Sequence, residues 1–177
     1  MDALIDKRQR ILAAASRLIV RNGLQCSMAA IAEEANVATG SLYNYFANKE
    51  ELVLGVYNQV SLAMAEQLTA PPEPGVCADQ EIVRYIARYI DFIWEDPQRA
   101  RLFDYLDNNP LISLDDARGV FGPFVQHGIA MIEAGQKEGS VRCGAPSLII
   151  SFQRGAIRNT LKRHRSTEPA FPRWRVV

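Results

Sequence analysis

The chain has 177 residues, of which 48% are hydrophobic and 23% are charged, and this is the composition of an ordinary globular protein. Lys and Arg balance Asp and Glu overall, but the net charge is +1 over residues 1–50 (six against five), −7 over residues 51–150 (seven against fourteen) and +6 over residues 151–177 (seven against one). No apolar run approaches the ~20 residues of a membrane span, and the N-terminus lacks a secretion signal, so we expect a cytoplasmic protein with no membrane partner.

The first predicted helix runs from about Ile5 to Arg21 and ends at Asn22-Gly23. A second helix carries Ile31, Ala32 and Ala35 on one side, and Asn36 follows it with a side chain that tolerates the left-handed turn past a helix end. Thr39 can cap the next helix, whose inner face is buried by Leu42 and Phe46. This pattern predicts a helix-turn-helix.

The outward face of the second of these two helices carries the residue types that read DNA grooves. Asn44 lies opposite Leu42 and Phe46, with Gly40 and Ser41 beside it and Tyr43 and Tyr45 on its flanks. An amide can pair with the edge of adenine, a hydroxyl can serve either kind of base, and a glycine lets the backbone approach closely.

The next helix begins with a predicted capping box, formed by Asn48 and Glu51. The box fixes Lys49 in the first helical turn, where a cation is unfavourable for the helix dipole. We therefore expect an outside anion, such as a DNA phosphate, to use Lys49.

Residues from about Leu4 to Leu54 resemble the DNA-binding domain of the tetracycline-repressor (TetR) family. The shared features are a first helix that ends near Gly23, Ser27 at the start of the second helix, and the segments Ile31-Ala32, Gly40-Ser41-Leu42-Tyr43, Tyr45-Phe46 and Lys49-Glu50-Glu51-Leu52. The resemblance implies that Ser27, Thr39 and Lys49 contact phosphate and that Ser41, Tyr43, Asn44 and Tyr45 face bases or backbone. It also implies a DNA-binding domain over residues 1–54 and a helical effector-binding and dimerisation domain over residues 55–177.

Each of these residues has a structural alternative. Ser27 can be an N-cap only, Tyr43 and Tyr45 can be partly packing residues, and Lys49 can be a solvated charge. Asn44 has poor helix propensity and no evident structural reason to lie at this position, which favours a contact.

The remaining sequence is helical in period and has no strand pattern, so the fold class is all-α. Pro71-Pro72-Glu73-Pro74-Gly75 predicts a loop, and Gly119, Gly122, Pro123 and Gly128 predict a kink or break in the seventh helix. The predicted helices are Lys49–Thr69, about Glu81–Trp94, Pro97–Asp107 ended by Asn109-Pro110, Asp115–Lys137, and Ala145–His164.

By the resemblance, an apolar effector pocket lies among these later helices. Its candidate lining residues are Tyr89, Phe92, Phe124, His127 and Met131. The alternative is that the aromatic residues are ordinary core and that His127 is a satisfied core histidine.

The predicted helix Ala145–His164 has two apolar faces, which suit packing inward and across a two-fold axis, and the resemblance implies a four-helix bundle between two subunits. Arg154, Arg158 and Lys162 are spaced four apart and predict a basic outer stripe that is solvated or paired with acids. A second bundle helix would only be starting at Pro172–Val177, so we expect a shortened sequence or an unusual dimer interface.

An enzyme is the competing class of protein. Two histidines, no nucleophile turn, no phosphate-binding loop and no metal-ligand cluster leave little for catalysis, and we expect no cofactor and no metal. Cys26, Cys77 and Cys143 are too few for a disulfide framework, and we expect reduced, buried thiols.

The sequence therefore predicts a ligand-responsive transcriptional regulator. In this prediction a homodimeric repressor binds a palindromic double-stranded DNA operator and is released by a small apolar or amphipathic effector. The alternative is an effector-binding or protein-interaction module whose DNA-binding head is degenerate.

Overall fold

The computed structural model describes residues 2–107, 111 and 113–165, and this part of the chain is built from α-helices without strands. A short 3-10 turn at Gly23–Gln25 follows the first helix. The helices are α1 Asp2–Asn22, α2 Met28–Glu34, α3 Thr39–Tyr43, α4 Lys49–Leu68, α5 Ala78–Trp94, α6 Pro97–Asp107, α7 Leu114–Glu138 and α8 Pro146–Arg165.

The described residues form two compact units. One unit consists of the chain up to Leu62 together with Gln98–Val120, and the other consists of Ala63–Pro97 and the chain from Phe121 onward. Helices α4 and α7 contribute residues to both units. The expected functional division between residues 54 and 55 stays a prediction.

The core of the first unit is apolar and tightly closed. Helix α1 buries one face completely, and α2, α3 and α4 each add side chains that are excluded from water. Removing such aliphatic and aromatic side chains from water contributes about 1.5–3 kcal/mol each, which is the main force that holds these short helices in place. Residues of this core are Ile11, Leu12, Ile19, Ile31, Leu42, Phe46, Leu52 and Val56.

The turn between α2 and α3 has the predicted left-handed residue, Asn36, with φ of 53°. The Val37 N–H donates to the Ala32 carbonyl (3.0 Å) and the Asn36 N–H donates to the Glu33 carbonyl (2.9 Å), the bond pattern of a Schellman motif. Thr39 is not the cap of α3, because Ala38 occupies that position and makes no side-chain cap bond. The N-cap of α3 therefore lies one residue earlier than the sequence predicted.

The start of α4 follows the predicted capping chemistry closely. The Asn48 side chain accepts from the Glu51 N–H at 2.8 Å. In a capping box the Glu51 carboxylate would accept from the N–H of the N-cap residue Asn48. It accepts instead from the Ala47 N–H, one residue earlier, at 2.7 Å. Two N–H groups at the helix start are thereby satisfied.

In the second unit the helix starts differ in detail from the prediction. Helix α5 begins at Ala78 rather than near Glu81, because the Glu138 carboxylate accepts from the Ala78 N–H at 2.8 Å and supports an earlier start. Helix α7 is continuous through Pro123, so the break is absent, and the other expected outcome, a kink, stays a prediction. Burial of Phe124 and Ile132 beyond the proline offsets the hydrogen bond that the proline removes.

The cysteines correct another expectation. Cys26 is buried as predicted, but Cys77 and Cys143 are exposed free thiols. The predicted helix end at Asn109-Pro110 and the expected start of a bundle helix at Pro172–Val177 lie outside the described residues. Within the described part of the chain, no helix is long and apolar enough to cross a membrane.

Gly55 allows α4 to pack closely against the core of the first unit. A Cβ atom added there would lie 2.9 Å from Leu12 Cδ2 and 3.1 Å from Phe46 Cε1, and both of these side chains are fully buried. Gly119 also lies inside a helix, but an added Cβ there meets nothing within 4 Å.

We expect Gly55→Ala to lower the free energy of unfolding, since overpacking costs about 1–3 kcal/mol against a gain of at most about 1 kcal/mol in helix propensity. Gly119→Ala is the matched control and should raise it by roughly 0.5–1 kcal/mol. Urea denaturation of both variants measures the difference. A Gly55→Ala protein that is as stable as Gly119→Ala would contradict the close packing.

Candidate functional site

Helix α3 presents a polar face that the rest of its unit leaves uncovered. Thr39, Gly40 and Asn44 are exposed, and Tyr43 is 50% exposed. Ser41 and Tyr45 are half-buried at the edges of this face. All six predicted residues of α3 and its C-terminal turn therefore lie together on one side or at its rim, while Leu42 and Phe46 hold the helix from behind.

Gly40 has no packing role within the first unit. An added Cβ would meet no atom within 4 Å, and no left-handed backbone is required there. Alanine would favour the helix by about 1 kcal/mol. A glycine at this position fits a surface that an outside partner approaches closely.

Ser27 lies at the start of α2, and Lys49, the first residue of α4, extends its side chain to the segment just before α2. Ser27 is the N-cap of α2, and its hydroxyl accepts from the Ala30 N–H at 3.1 Å. The Lys49 ammonium is half-buried and donates to the carbonyl of Leu24, three residues before Ser27. Lys49 is therefore not a freely solvated charge, and its position beside a helix N-terminus gives this place a positive character.

Arg10 is a residue whose role the sequence analysis missed. Its guanidinium donates to the carbonyls of Ala35 and Asn36, at 2.7 and 2.8 Å. It thereby satisfies the C-terminal carbonyls of α2 and fastens α1 to the turn that precedes α3. No local signal could have found this contact, because its partners are 25 and 26 residues away along the chain.

A cavity of about 360 Å³ lies in the second unit, between α5, α7 and the loop that precedes α5. His127 and Met131, two of the five predicted ligand contacts, line it. Its other lining residues are Ala70, Pro72, Val76, Ala78, Glu81, Ala130, Ala134 and Glu138.

The predicted contacts Tyr89, Phe92 and Phe124 are buried and do not line this cavity. Tyr89 and Phe124 belong to an aromatic cluster around Tyr85, whose ring centroid lies 6.2 Å from each of theirs. His127 joins the cavity to this cluster, because its ring centroid is 6.3 Å from that of Tyr85. A direct ligand contact for the three buried aromatics stays a prediction.

Arg154 corrects the expected solvated stripe on α8, because this residue is only 9% exposed. Its Nε donates to the Tyr85 hydroxyl at 2.8 Å and one terminal nitrogen donates to the Phe124 carbonyl at 3.2 Å. Its guanidinium also lies 3.9 Å from the centroid of the Phe124 ring, a cation–π contact. The signal was present in the sequence, since Ile150, Arg154 and Leu161 share one helical face.

The electrostatics around the cavity favour neutral His127. Burial, followed by the positive charges of Arg154 and Arg88, lowers the pKa of His127, and Glu81 opposes this shift only in part. Burial also raises the pKa of the Tyr85 phenol, which keeps its hydroxyl neutral. The cavity wall therefore carries a neutral imidazole at His127, together with the carboxylates of Glu81 and Glu138.

Comparison with known proteins agrees with the helix-turn-helix. Residues 11–56 match the family described as bacterial regulatory proteins, tetR family. An HTH-type transcriptional regulator of Haemophilus influenzae is 50% identical over 52 residues, which cover 29% of this chain and 28% of that protein. The nicotine-responsive transcriptional repressor HdnoR of Paenarthrobacter nicotinovorans is 35% identical over 92 residues, covering 51% of this chain and 45% of the repressor.

The chain thus spans less than half the length of these curated relatives. Among solved structures, the regulator FadR of Bacillus subtilis in complex with stearoyl-CoA is similar, with a TM-score of 0.77 and 19% identity over 92% of this chain and 89% of that one. At this identity the likeness concerns the fold.

The lowered pKa of His127 predicts how stability depends on pH. Above its ordinary value of 6.5 the imidazole is neutral in the folded and unfolded chains. Below that pH the unfolded chain binds the proton first, so the native protein should lose stability relative to His127→Gln as the pH falls from about 7 to 5. Thermal unfolding of both proteins across this range checks the sign. A stability difference that does not change with pH, or a native protein that becomes more stable relative to the variant as the pH falls, would refute the lowered pKa of His127.

Proposed function

We propose that the protein is a ligand-responsive transcriptional repressor that binds a palindromic operator as a homodimer, because residues 11–56 match the family described as bacterial regulatory proteins, tetR family. The observation that carries the proposal is the uncovered polar face of α3, formed by Thr39, Gly40 and Tyr43 and continued by Asn44, the C-cap of this helix, while Leu42 and Phe46 are buried behind it. An α-helix with such a face fits the major groove.

In this proposal the residues of α3 divide the work of DNA binding. Asn44 reads a base edge, since an amide can donate and accept in a pair with adenine. Tyr43 and Thr39 contact backbone or a thymine methyl, and Gly40 brings the helix close to the DNA. Ser41 and Tyr45, which are half-buried, support these contacts from the rim.

Ser27 and Lys49 form the proposed phosphate contact. The Lys49 ammonium uses one donor on the Leu24 carbonyl and has two more to offer, and Leu24 lies three residues before Ser27, the N-cap of α2. A phosphate at this point would receive a charge and helix N–H groups together. The interaction positions the protein on DNA without reading sequence.

The proposed dimer forms through α8. Leu148 is 71% exposed and Phe152, one helical turn later, is 81% exposed, with exposed Ala156 a further turn on. Such an apolar row is costly to leave in water, and a second copy of α8 would cover it across a two-fold axis. A dimer would place two α3 helices in half-sites about one helical turn of DNA apart.

The proposed effector is a small apolar or amphipathic molecule that enters the cavity at His127 and Met131. A volume of about 360 Å³ lies in the usual range for small-molecule sites. The structurally similar FadR was solved with stearoyl-CoA, and the relative HdnoR is nicotine-responsive, so proteins that resemble this chain bind or respond to molecules with apolar parts.

In this proposal, regulation follows from a coupling between the DNA-binding face of α3 and the effector cavity at His127 and Met131. Helix α7 carries His127 and Met131, and its first residues belong to the unit that holds α3. A ligand that favours one arrangement of this helix would change operator affinity by about 1–3 kcal/mol, and operator DNA would change ligand affinity by the same factor.

We expect Asn44→Ala to lose roughly 1–3 kcal/mol of operator binding and to relax specificity at one base position. Lys49→Met should weaken binding to operator and random DNA alike and reduce the salt slope by about one unit. Fluorescence anisotropy with the DNA upstream of this gene and with a scrambled duplex measures both effects.

Arg118→Met, which removes an exposed cation elsewhere on the same unit, is the control and should change neither affinity by more than about twofold. Equal losses on operator and scrambled DNA for Asn44→Ala would refute base readout. If the native protein binds no segment of that upstream DNA more tightly than the scrambled duplex, the alternative is favoured, namely an effector-binding or protein-interaction module whose DNA-binding head is degenerate.

We expect Phe152→Glu to weaken the dimer by about a hundredfold or more, because each copy would lose the burial of a phenyl side chain and desolvate a charge. Leu62→Glu is the matched control, since Leu62 is an equally exposed apolar residue (70%) on α4. Analytical ultracentrifugation gives the dissociation constants. A Phe152→Glu protein that dimerises as tightly as Leu62→Glu would exclude this face of α8.

A further inference from the structure

The cavity of the second unit, bounded by α5, α7 and the loop before α5, has an acidic lining. Glu81 and Glu138 are its charged side chains, and among the described residues none of the side chains that line it is basic. Apart from His127, the rest of the lining is apolar, because it consists of alanines, a proline, a valine and a methionine. A ligand that fills the cavity therefore meets an apolar wall that carries two carboxylates.

Each of these carboxylates uses one oxygen for a hydrogen bond within the protein. Glu138 Oε2 accepts from the Ala78 N–H at 2.8 Å. Glu81 Oε1 accepts from the Glu73 N–H and from the Arg84 guanidinium, both at 3.2 Å. Within the described part of the chain, Oε1 of Glu138 and Oε2 of Glu81 have no hydrogen-bond partner. Two carboxylate oxygens therefore remain as acceptors for a ligand.

The acids in this region outnumber the cations that pair with them. Arg84 is shared between Glu73 and Glu81, at 2.7 and 3.2 Å, and Glu138 forms no ion pair with a described residue. The Glu81 side chain is only 15% exposed, so water solvates its charge poorly. A carboxylate removed from water is costly unless a cation compensates it, and a cationic ligand would supply that compensation.

The helix dipole explains the acids at the start of α5 only in part. A carboxylate near a helix N-terminus is stabilised by the dipole, and Asp79 has this position while it stays exposed to water. Glu81 lies in the same helical turn and would gain the same stabilisation from an exposed position. Its carboxylate instead belongs to the cavity wall, which points to a role in binding.

Helix α7 separates the acidic end of the cavity from its apolar part. His127, Ala130, Met131, Ala134 and Glu138 follow one face of this helix, over roughly 16 Å at 1.5 Å per residue. The hydrogen bond from the first residue of α5 places Glu138 beside the start of that helix. The cavity is therefore acidic at this end and apolar along the alanines and the methionine.

We propose that the cavity binds a small organic cation, a protonated amine whose ammonium lies beside the carboxylates of Glu81 and Glu138 and whose apolar body lies along Ala134, Ala130 and Met131. The inference rests on the proposed effector site and specifies its ligand class. At roughly 30 Å³ per non-hydrogen atom, a volume of about 360 Å³ holds about a dozen such atoms, which is the size of phenylbutylamine.

The test compares three probes that share a phenylbutyl body and differ in charge. Phenylbutylamine is a cation, phenylbutanol is neutral and phenylbutanoate is an anion. Isothermal titration calorimetry with the whole chain at about pH 7.5 should show phenylbutylamine binding at least about tenfold more tightly than phenylbutanol, because hydrogen bonds to charged groups are the stronger ones, and more tightly than phenylbutanoate.

Two variants identify the source of this preference. Glu81→Gln and Glu138→Gln each remove a charge and keep an amide oxygen for the backbone N–H that the acid binds. Each should reduce the amine-to-alcohol affinity ratio by about threefold or more, while phenylbutanol affinity changes little. Glu133→Gln is the matched control, since Glu133 is an exposed acid on α7 that does not line the cavity, and it should leave the ratio unchanged.

Arg84 provides a test of opposite sign. Its guanidinium competes with a ligand for Glu81, and its positive charge repels an ammonium group. Arg84→Met should therefore raise the amine-to-alcohol affinity ratio by about twofold or more. Any loosening of the loop that carries Glu73 would change the affinities for amine and alcohol alike and would leave the ratio unaffected. A ratio that falls in this variant would contradict an ammonium beside Glu81.

The proposal is overturned if phenylbutylamine does not bind, if it binds no more tightly than phenylbutanol or phenylbutanoate, or if both glutamine variants leave the ratio intact. Gel-shift titration with phenylbutylamine is a separate measurement. Phenylbutylamine that binds with the expected preference but leaves operator affinity unchanged would refute the effector role and leave the cation site standing. Operator release by phenylbutanol and phenylbutylamine at the same concentrations would support an effector site and refute the cation specificity.

Discussion

The exposed polar face of α3 depends on how the chain turns between α2 and α3. Asn36 adopts a left-handed backbone that turns the chain sharply, and Val37 and Asn36 close the end of α2 with backbone hydrogen bonds. Arg10 then binds the last free carbonyls and connects the turn to α1. Because α3 has only five residues and would not be stable alone, this fixed turn and the burial of Leu42 and Phe46 determine its direction.

A different constraint organises the second unit, where Arg154 connects three helices. It donates from α8 to Tyr85 on α5 and to the Phe124 carbonyl on α7, and Gly128 leaves space for its terminal nitrogen. An apolar side chain would pack here at lower electrostatic cost, since buried charges seldom add stability. The hydrogen bonds to Tyr85 and the Phe124 carbonyl and the cation–π contact with the Phe124 ring offset part of this cost, and after burial the charge of Arg154 is the next cause that lowers the pKa of His127.

The sequence predicted features that depend on near neighbours along the chain and missed those that depend on distant ones. Asn36 at a helix end, Asn48 with Glu51 and Pro97 at a helix start follow local rules and were confirmed. Lys49 and Arg154 were interpreted as DNA-facing or surface cations and the role of Arg10 was missed, because the protein partners of these three residues lie 25 to 69 residues away. The cavity was anticipated at His127 and Met131 only, because the depth of Tyr89, Phe92 and Phe124 depends on how α5, α7 and α8 pack.

The use of these cations also bears on how the protein can bind DNA. Of the basic residues in the first fifty positions, Arg10 is bound to the turn, Arg17 and Arg21 both pair with Glu34, and Arg8 lies 5.2 Å from the Phe46 ring centroid. The hydrogen bond from Arg17, followed by the hydrogen bond from Arg21 and the charges of both arginines, lowers the pKa of Glu34. Few cations are left to neutralise phosphates, and each one that is missing weakens attraction to DNA of any sequence. One copy of the domain would then bind DNA poorly, and tight binding would require base contacts from two copies. In the proposed dimer, the exposed apolar row on α8 would bring two copies together.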